Sequence, residues 1–460
     1  MNCSSKVFQT LSLAGAILFL SVSTRAQTNQ TVTTTNLFSQ PLSLGDALDL
    51  ALKQNSAILK GKADLEANHG VVVQTRSIAL PKIQANGNYT ANDPGSIERF
   101  PSGPNFVVPL PNDKWSAGIQ ISQFIYEGGR IKSSLRTARL TREQATLNFQ
   151  TVVADTLLAV RVAYDDVLLA AQQIVVQEAS VKLLTSELAD VERRFSAGTV
   201  PRFNVLRAEV ELGNARPKLI RAKNSWRIAK NNLANLLGWN LPKDFLENIP
   251  LELSGKLEAE PYEIELPAAI GQALEKRPEL AALRKAEKLQ EEAVVNAKGG
   301  FKPSAQLFAG YGWRSPSFQD DLSKDVSGWV TGAQVSWDIF DGALTRGKVI
   351  EAKARLEKAK LEIDDSGRRI ELEVRTAYSN FIEVKEVLES QKKVQEQAEE
   401  ALRLAEARMD AGAGTQLDVL NAQTALTEAR TTQAQALHDY SVARARLDRA
   451  MGENLQVNQK

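Results

Sequence analysis

The chain has 460 residues, 43% hydrophobic and 24% charged, with a net charge of +1. That length exceeds one ordinary globular core. The near-neutral balance excludes the strongly basic face that nucleic-acid binding demands, so no nucleic acid is expected as a partner.

In chain order, the first predicted element is a secretory signal over 1–26. Lys6 precedes an apolar run from Leu11 to Val22, and Thr24-Arg25-Ala26 supplies the exit, with cleavage expected after Ala26. A buried N-terminal helix is the competing reading. The run is too short to span a membrane as a helix. Cys3, the only cysteine, leaves with the signal. The mature chain then has no disulfide, no thiol nucleophile and no thiolate metal site. A tail, 27–41, follows. No later segment approaches the roughly 18 apolar residues of a membrane helix, so any crossing must use strands.

Residues 42–239 and 263–452 read as two copies of one unit, joined by a linker over 240–262 and followed by a tail, 453–460. A shift of 222 carries Pro81, Gln84 and Tyr89 onto Pro303, Gln306 and Tyr311. From Trp115 onward the shift is 214, carrying Trp115, Tyr164, Gly198, Leu206 and Gly238 onto Trp329, Tyr378, Gly412, Leu420 and Gly452. Each unit is predicted as a helix, two strands, a long helix and a returning helix.

The strands alternate. Ile83, Ala85, Gly87 and Tyr89 interleave with polar Gln84, Asn86, Asn88 and Thr90, and Trp115, Ala117, Ile119 and Ile121 with Ser116, Gly118, Gln120 and Ser122. In the second copy Ala305 to Trp313 and Trp329 to Trp337 repeat the pattern, with Phe308 breaking the polar side. Period two gives one apolar and one polar face. Tyr89, Trp115, Tyr311, Trp313, Trp329 and Trp337 are the candidate aromatic girdle of a transmembrane sheet. A soluble sheet fits the same pattern. The joining segments, 91–114 and 314–328, are rich in Pro, Gly, Ser and Asp and read as exposed loops.

The long helices carry a seven-residue period: Val153, Val160, Val167, Ile174, Val181, Leu188 and Phe195, then Val374, Phe381, Leu388, Leu402 and Met409, with Gln395 the exception. The returning helices repeat it with Val205, Leu212, Leu219, Trp226 and Leu233, then Val419, Leu426, Tyr440 and Leu447, with Gln433 the exception. That period is the coiled-coil signature. Each rod is predicted to end at a glycine turn, Gly198 or Gly412, that forces an antiparallel hairpin. Pro217 is expected to kink the returning helix.

Four strands cannot close a barrel, and an open edge cannot stand in lipid. Three chains give twelve strands, enough for a polar lumen, and six helical hairpins, enough to wall a tube. The expected fold is therefore mainly α with a β-barrel portion in a homotrimer.

The layout resembles the TolC-like outer-membrane factors over nearly the whole mature chain. The resemblance is carried by the doubled unit, by the strand exits Tyr126-Glu127-Gly128-Gly129 and Phe340-Asp341-Gly342, and by the tip Ala411-Gly412-Ala413-Gly414-Thr415-Gln416-Leu417-Asp418. It implies an outer-membrane exit duct of a Gram-negative bacterium, reaching into the periplasm and docking to a periplasmic adaptor and an inner-membrane pump for efflux or type I secretion. It implies a periplasmic gate at Asp418, with Asn421 where the family's best-known member has a second aspartate. A capping role at the start of its helix is the plainer reading of Asp418. Gly198, Thr199, Gly412, Gly414 and Thr415 are the expected adaptor-docking tips. A soluble periplasmic coiled-coil scaffold is the alternative, and it leaves the repeated strands unexplained. His69 and His438 lack metal-ligand spacing and read as surface or packing residues. No P-loop, nucleophile elbow or paired catalytic carboxylates occur, so no enzyme, cofactor or metal is expected.

Overall fold

The computed structural model describes residues 41–93, 95, 112–239, 249–317 and 321–453. The chain divides into Met1–Pro41 and Leu42–Lys460, and the second part is described here. The expected signal and most of the tail after it lie outside the described residues, as does most of the loop 91–114.

The elements run α1 (Leu44–Gln54), α2 (Ser56–Arg76), β1 (Lys82–Ala91), β2 (Asp113–Glu127), α3 (Arg130–Ser196) and α4 (Arg202–Leu236). Then follow α5 (Leu266–Lys276), α6 (Pro278–Lys298), β3 (Ser304–Arg314), β4 (Val326–Ser336), α7 (Leu344–Asp410) and α8 (Gln416–Ala450). The same order occurs twice, with α3 and α7 both of 67 residues and α4 and α8 both of 35. At 1.5 Å per residue α3 and α7 are each about 100 Å long.

The single helix expected before each strand pair is two helices. In the first copy Asn55 breaks it: its side-chain oxygen accepts from the Ala57 and Ile58 amides, which starts α2 afresh. In the second copy Pro278 occupies the first position of α6, where its missing N–H costs nothing. Helix α4 runs unbroken through Pro217.

The seven-residue stripes are buried where the hairpins close. Val160, Val167, Leu212, Leu233, Val374, Phe381, Val419, Leu426, Tyr440 and Leu447 are all buried. One buried cluster joins α5, α6, α7 and α8 around Phe381, whose ring lies 5.3 Å from Tyr440 and 5.8 Å from Tyr262. Helix α8 also packs on α3, and α6 packs on both α3 and α7, so the two copies share one body. The linker after Ile249 is pinned to the helices by polar anchors. The Tyr164 hydroxyl donates to the Leu42 carbonyl and accepts from the Gly255 amide. Lys230 Nζ donates to the Ile249 carbonyl, and the Tyr440 hydroxyl donates to the Glu260 carbonyl.

The strands form one antiparallel meander, β1-β2-β3-β4. One face carries Ala85, Ile119, Tyr311 and Trp329 in a row, with Ile83, Ile121, Ala309 and Thr331 in the next such row. The opposite face carries Gln84, Gln120, Gly310 and Val330. Phe308 lies on that second face. Its ring packs over Gly332, where a Cβ would meet the Phe308 ring at 2.8 Å. Beyond Phe124 the β2–β3 register slips by one residue, leaving Ile125 unpaired and returning Tyr126 to the apolar face opposite Ala305.

Candidate functional site

Among the described residues no group of three or more His, Cys, Asp or Glu side chains is placed to hold a metal ion. No described helix is long and apolar enough to cross a membrane. The chemically informative places are the sheet, the helix tips and the seam between the hairpins.

On the sheet, the six girdle candidates fall at two levels. Tyr89 pairs with Trp115, Tyr311 pairs with Trp329, and the Trp313 ring sits 4.9 Å from Tyr311, all at the end far from the helices. Trp337 lies just past β4 at the near end, where its indole N–H donates to the Phe301 carbonyl at 3.1 Å. Trp329 is 77% exposed and Val335 71%, so this apolar face has no cover among the described residues. Large aromatics at two levels with aliphatics between them suit a slab of hydrocarbon bounded by two interfaces. The outer edges of β1 and β4 have no strand beside them among the described residues.

The tips share one backbone solution. At the end of α3 the Thr199 amide donates to the Arg194 carbonyl and the Gly198 amide to the Phe195 carbonyl, both at 2.9 Å. At the end of α7 the Ala413 and Gly412 amides repeat this with Arg408 at 2.8 Å and Met409 at 3.0 Å. The motif places Gly198 at φ +77° and Gly412 at φ +72°, a region that other residues enter at a cost. Gly414 sits so close to the Arg408–Met409 backbone that a Cβ would lie 3.0 Å from the Met409 nitrogen.

The two tips differ in what starts the returning helix. At the second, Thr415 and Asp418 form a reciprocal capping box. The Thr415 amide donates to Asp418 Oδ2 at 3.0 Å, the Thr415 hydroxyl donates to the same oxygen at 2.8 Å, and the Asp418 amide donates back to Thr415 Oγ1 at 3.3 Å. These bonds, the amide's first and then the hydroxyl's, hold the Asp418 carboxyl below its ordinary value. The geometry of one protomer accounts for Asp418 as a helix cap. Asn421 is exposed one turn later. The first tip has Pro201 and Asn204 at the matching positions and no side-chain cap.

A third arrangement escaped the sequence reading. His438 of α8 is buried against α3, with Nε2 2.8 Å from Asp166 Oδ1 and Nδ1 3.0 Å from Asp439 Oδ1. Burial opposes its charged form, but the carboxylates of Asp166 and Asp439 outweigh burial and raise its pKa. The same α3–α8 seam carries Ser441 donating to Asp165 at 2.6 Å and Arg449 donating to Asp155 at 2.8 Å. His438 and Asp166 lie 272 residues apart, and no local spacing signals their meeting.

A model of the outer membrane efflux protein family matches residues 47–239 and 269–453. The chain is 24% identical over 413 residues to the alkaline protease secretion protein AprF of Pseudomonas aeruginosa, covering 88% of this chain and 83% of that one. It is 24% identical over 416 residues to the outer membrane protein TolC of Vibrio cholerae, covering 89% and 90% respectively. Among solved structures, the outer membrane protein VceC of Vibrio cholerae matches with a TM-score of 0.73 at 18% identity, over 89% of this chain and 96% of that one.

Proposed function

The chain belongs to the outer membrane efflux protein family, and from that premise we propose that three copies close into a twelve-stranded barrel standing on a periplasmic tube of helices. The protein is an outer-membrane exit duct of the efflux and secretion kind, reaching into the periplasm. One observation carries the oligomeric reading: among the described residues the meander ends in two strands with no strand beside their outer edges, while its apolar face is exposed. Backbone N–H and C=O groups left unpaired in hydrocarbon cost several kcal/mol each, about the stability of a whole domain within a few residues. A soluble scaffold would leave that apolar face in water.

The duct is passive and performs no catalysis. Its energy comes from an inner-membrane pump, reached through a periplasmic adaptor that docks at the tips around Gly198, Thr199, Gly412, Gly414 and Thr415. The units 42–239 and 263–452 are read as two copies of one unit. Three Asp418 carboxylates, with Asn421 one turn above, line the narrow end, raise local cation occupancy and repel anions. The polar sheet face, with Gln84, Gln120 and Asn88, lines the lumen.

The test is the detergent-corrected mass of the protein extracted from outer membranes. Three protomers are expected. A monomer, or recovery only in the soluble periplasmic fraction, would overturn the reading.

A further inference from the structure

We propose that the helices carry a basic collar just below the sheet that holds the headgroups of anionic phospholipids in the leaflet facing the periplasm. The inference rests on the reading that the apolar face of the sheet meets lipid. It adds which lipid the protein selects.

The net charge of +1 conceals a segregation along the molecule. The segments that flank the helix-side end of the sheet, 74–82, 127–142, 292–304 and 336–350, carry eleven Lys and Arg against four Asp and Glu. At the far end of the sheet, the described residues of 91–93, 112–115 and 313–326 carry three against four. A hydrocarbon slab held between these levels has a basic boundary on the periplasmic side and a balanced one outside.

The collar is built on one face of α3 and one face of α6. Lys132, Leu135, Arg136, Arg139 and Arg142 are exposed and spaced so that they share one face of α3. The opposite face of that helix carries Ser134, Thr137 and Thr141, which are small and uncharged. On α6 Arg284, Lys288, Glu291, Val295 and Lys298 are exposed at helical spacing, again on one face. The two faces meet along a seam bridged by Arg136–Glu292 at 3.3 Å and Lys285–Glu143 at 2.6 Å, so both look the same way. A helix in the wall of a tube has one side to the lumen and one to the outside. The uncharged side of α3 suits the lumen, and the basic side is assigned outward. Leu135 and Val295, each 41% exposed, stand among its charges, where apolar side chains can reach the edge of the hydrocarbon.

Depth and pairing fit a headgroup layer. At 1.5 Å per residue, Lys132 and Arg136 lie about 3 and 9 Å along α3 from its start beside the sheet. The headgroup layer is about 5–7 Å thick on each side of the hydrocarbon, so these cations fall at the level of its phosphates. The nearby acids are already engaged in part: Glu127 pairs with Arg130, Glu292 with Arg136, and Asp341 accepts from the Thr345 amide. Lys132, Lys298, Arg346 and Lys348 are exposed and make no ion pair among the described residues. Cations at that depth attract anionic headgroups, and the attraction fades within a Debye length.

The test counts lipids on the purified protein. It is equilibrated in detergent with equal amounts of phosphatidylglycerol and phosphatidylcholine of the same chain length, and the retained lipids are quantified by mass spectrometry. The wild type is expected to retain several-fold more phosphatidylglycerol, and the excess should fall as sodium chloride rises from about 0.05 to 0.5 M. Lys132→Gln/Lys298→Gln, and the same pair with Arg346→Gln added, should lose most of the excess at unchanged trimer mass. Lys392→Gln/Lys393→Gln, exposed far along α7 from the sheet, should keep it. Equal retention of the two lipids by the wild type, or an undiminished excess in the collar variants, would overturn the inference and leave the duct standing. Loss of the excess to inorganic phosphate at constant ionic strength would assign the collar to free phosphate and overturn the lipid. Binding of isolated peptidoglycan through the same lysines, with no lipid preference, would assign it to the cell wall and overturn it equally. A monomeric mass would remove the barrel reading and the collar with it.

Discussion

Asp418 holds the second tip together by hydrogen bonds to Thr415, and in the assembled duct it is also proposed to carry the gate charge. The two roles separate on substitution. Asp418→Asn keeps an oxygen that accepts from the Thr415 amide and removes the charge. Single-channel recording should then show weaker cation preference and weaker block by multivalent cations. Unchanged selectivity would leave Asp418 as a cap alone. The carboxyl is held below its ordinary value, so the capping box is complete at neutral pH and above. It is lost as pH falls through that lowered value, since protonation removes the acceptor charge. The neighbouring glycines answer to a different test. Gly412→Val forces a branched residue into φ +72°, which should cost about 1–2 kcal/mol. A lower thermal midpoint with wild-type adaptor capture would show that the tip glycines serve the turn only. Loss of capture at a temperature where the tip stays folded would support docking there.

At the scale of elements, two kinds of helix contact coexist. Within each hairpin the seven-residue stripes bury apolar side chains, while between hairpins α3 and α8 meet through Asp165–Ser441, Asp166–His438 and Asp155–Arg449. His438 makes that seam pH-sensitive. Asp165 and Asp166 act on it from α3, Asp439 and Arg446 share its own helix, and Glu383 of α7 lines the same hollow. Its folded pKa is raised, so its stabilisation is full below the unfolded value near 6.5 and is lost as pH rises through the folded value. Hydrogen exchange along α8 around His438 should therefore speed up from mildly acidic to mildly alkaline pH, beyond the intrinsic base catalysis. In His438→Gln that excess should vanish, and an identical pH profile in the variant would refute the role. The contrast also explains what the sequence made legible. Stripes such as Val160–Val167 and Phe381–Leu388 announce themselves because their period is local. The break at Asn55 was hidden, because a cap of two hydrogen bonds leaves the apolar period on either side intact. The bulge at Ile125 and the His438–Asp166 pair were hidden because only a distant partner strand or helix defines them.

For the whole molecule, the decisive feature is a sheet with one apolar and one polar face. Alternation in β1 to β4 assigns Ile83, Ile121, Ala309 and Thr331 to one face and Gln84, Gln120 and Gly310 to the other. In a soluble sheet the apolar face would be the buried one. Here it is bare, with Ile83 70% exposed, and among the described residues no layer packs on the polar face. Lipid outside and water inside meet both needs at once. Ile121 lies between the far aromatics, Tyr89 and Trp115, and the near pair, Tyr126 and Trp337, which places its row close to the middle of the slab. A charge there should be expensive. Ile121→Arg is expected to cost the assembled barrel about 2–4 kcal/mol, read as lost trimer yield and a lower thermal midpoint in detergent. Gln120→Arg, one residue away, points into water and should leave trimer yield and midpoint near wild type while reducing the channel's preference for cations. If both substitutions behaved alike, the two faces would not meet different solvents, and the sheet would not be the wall of a membrane pore.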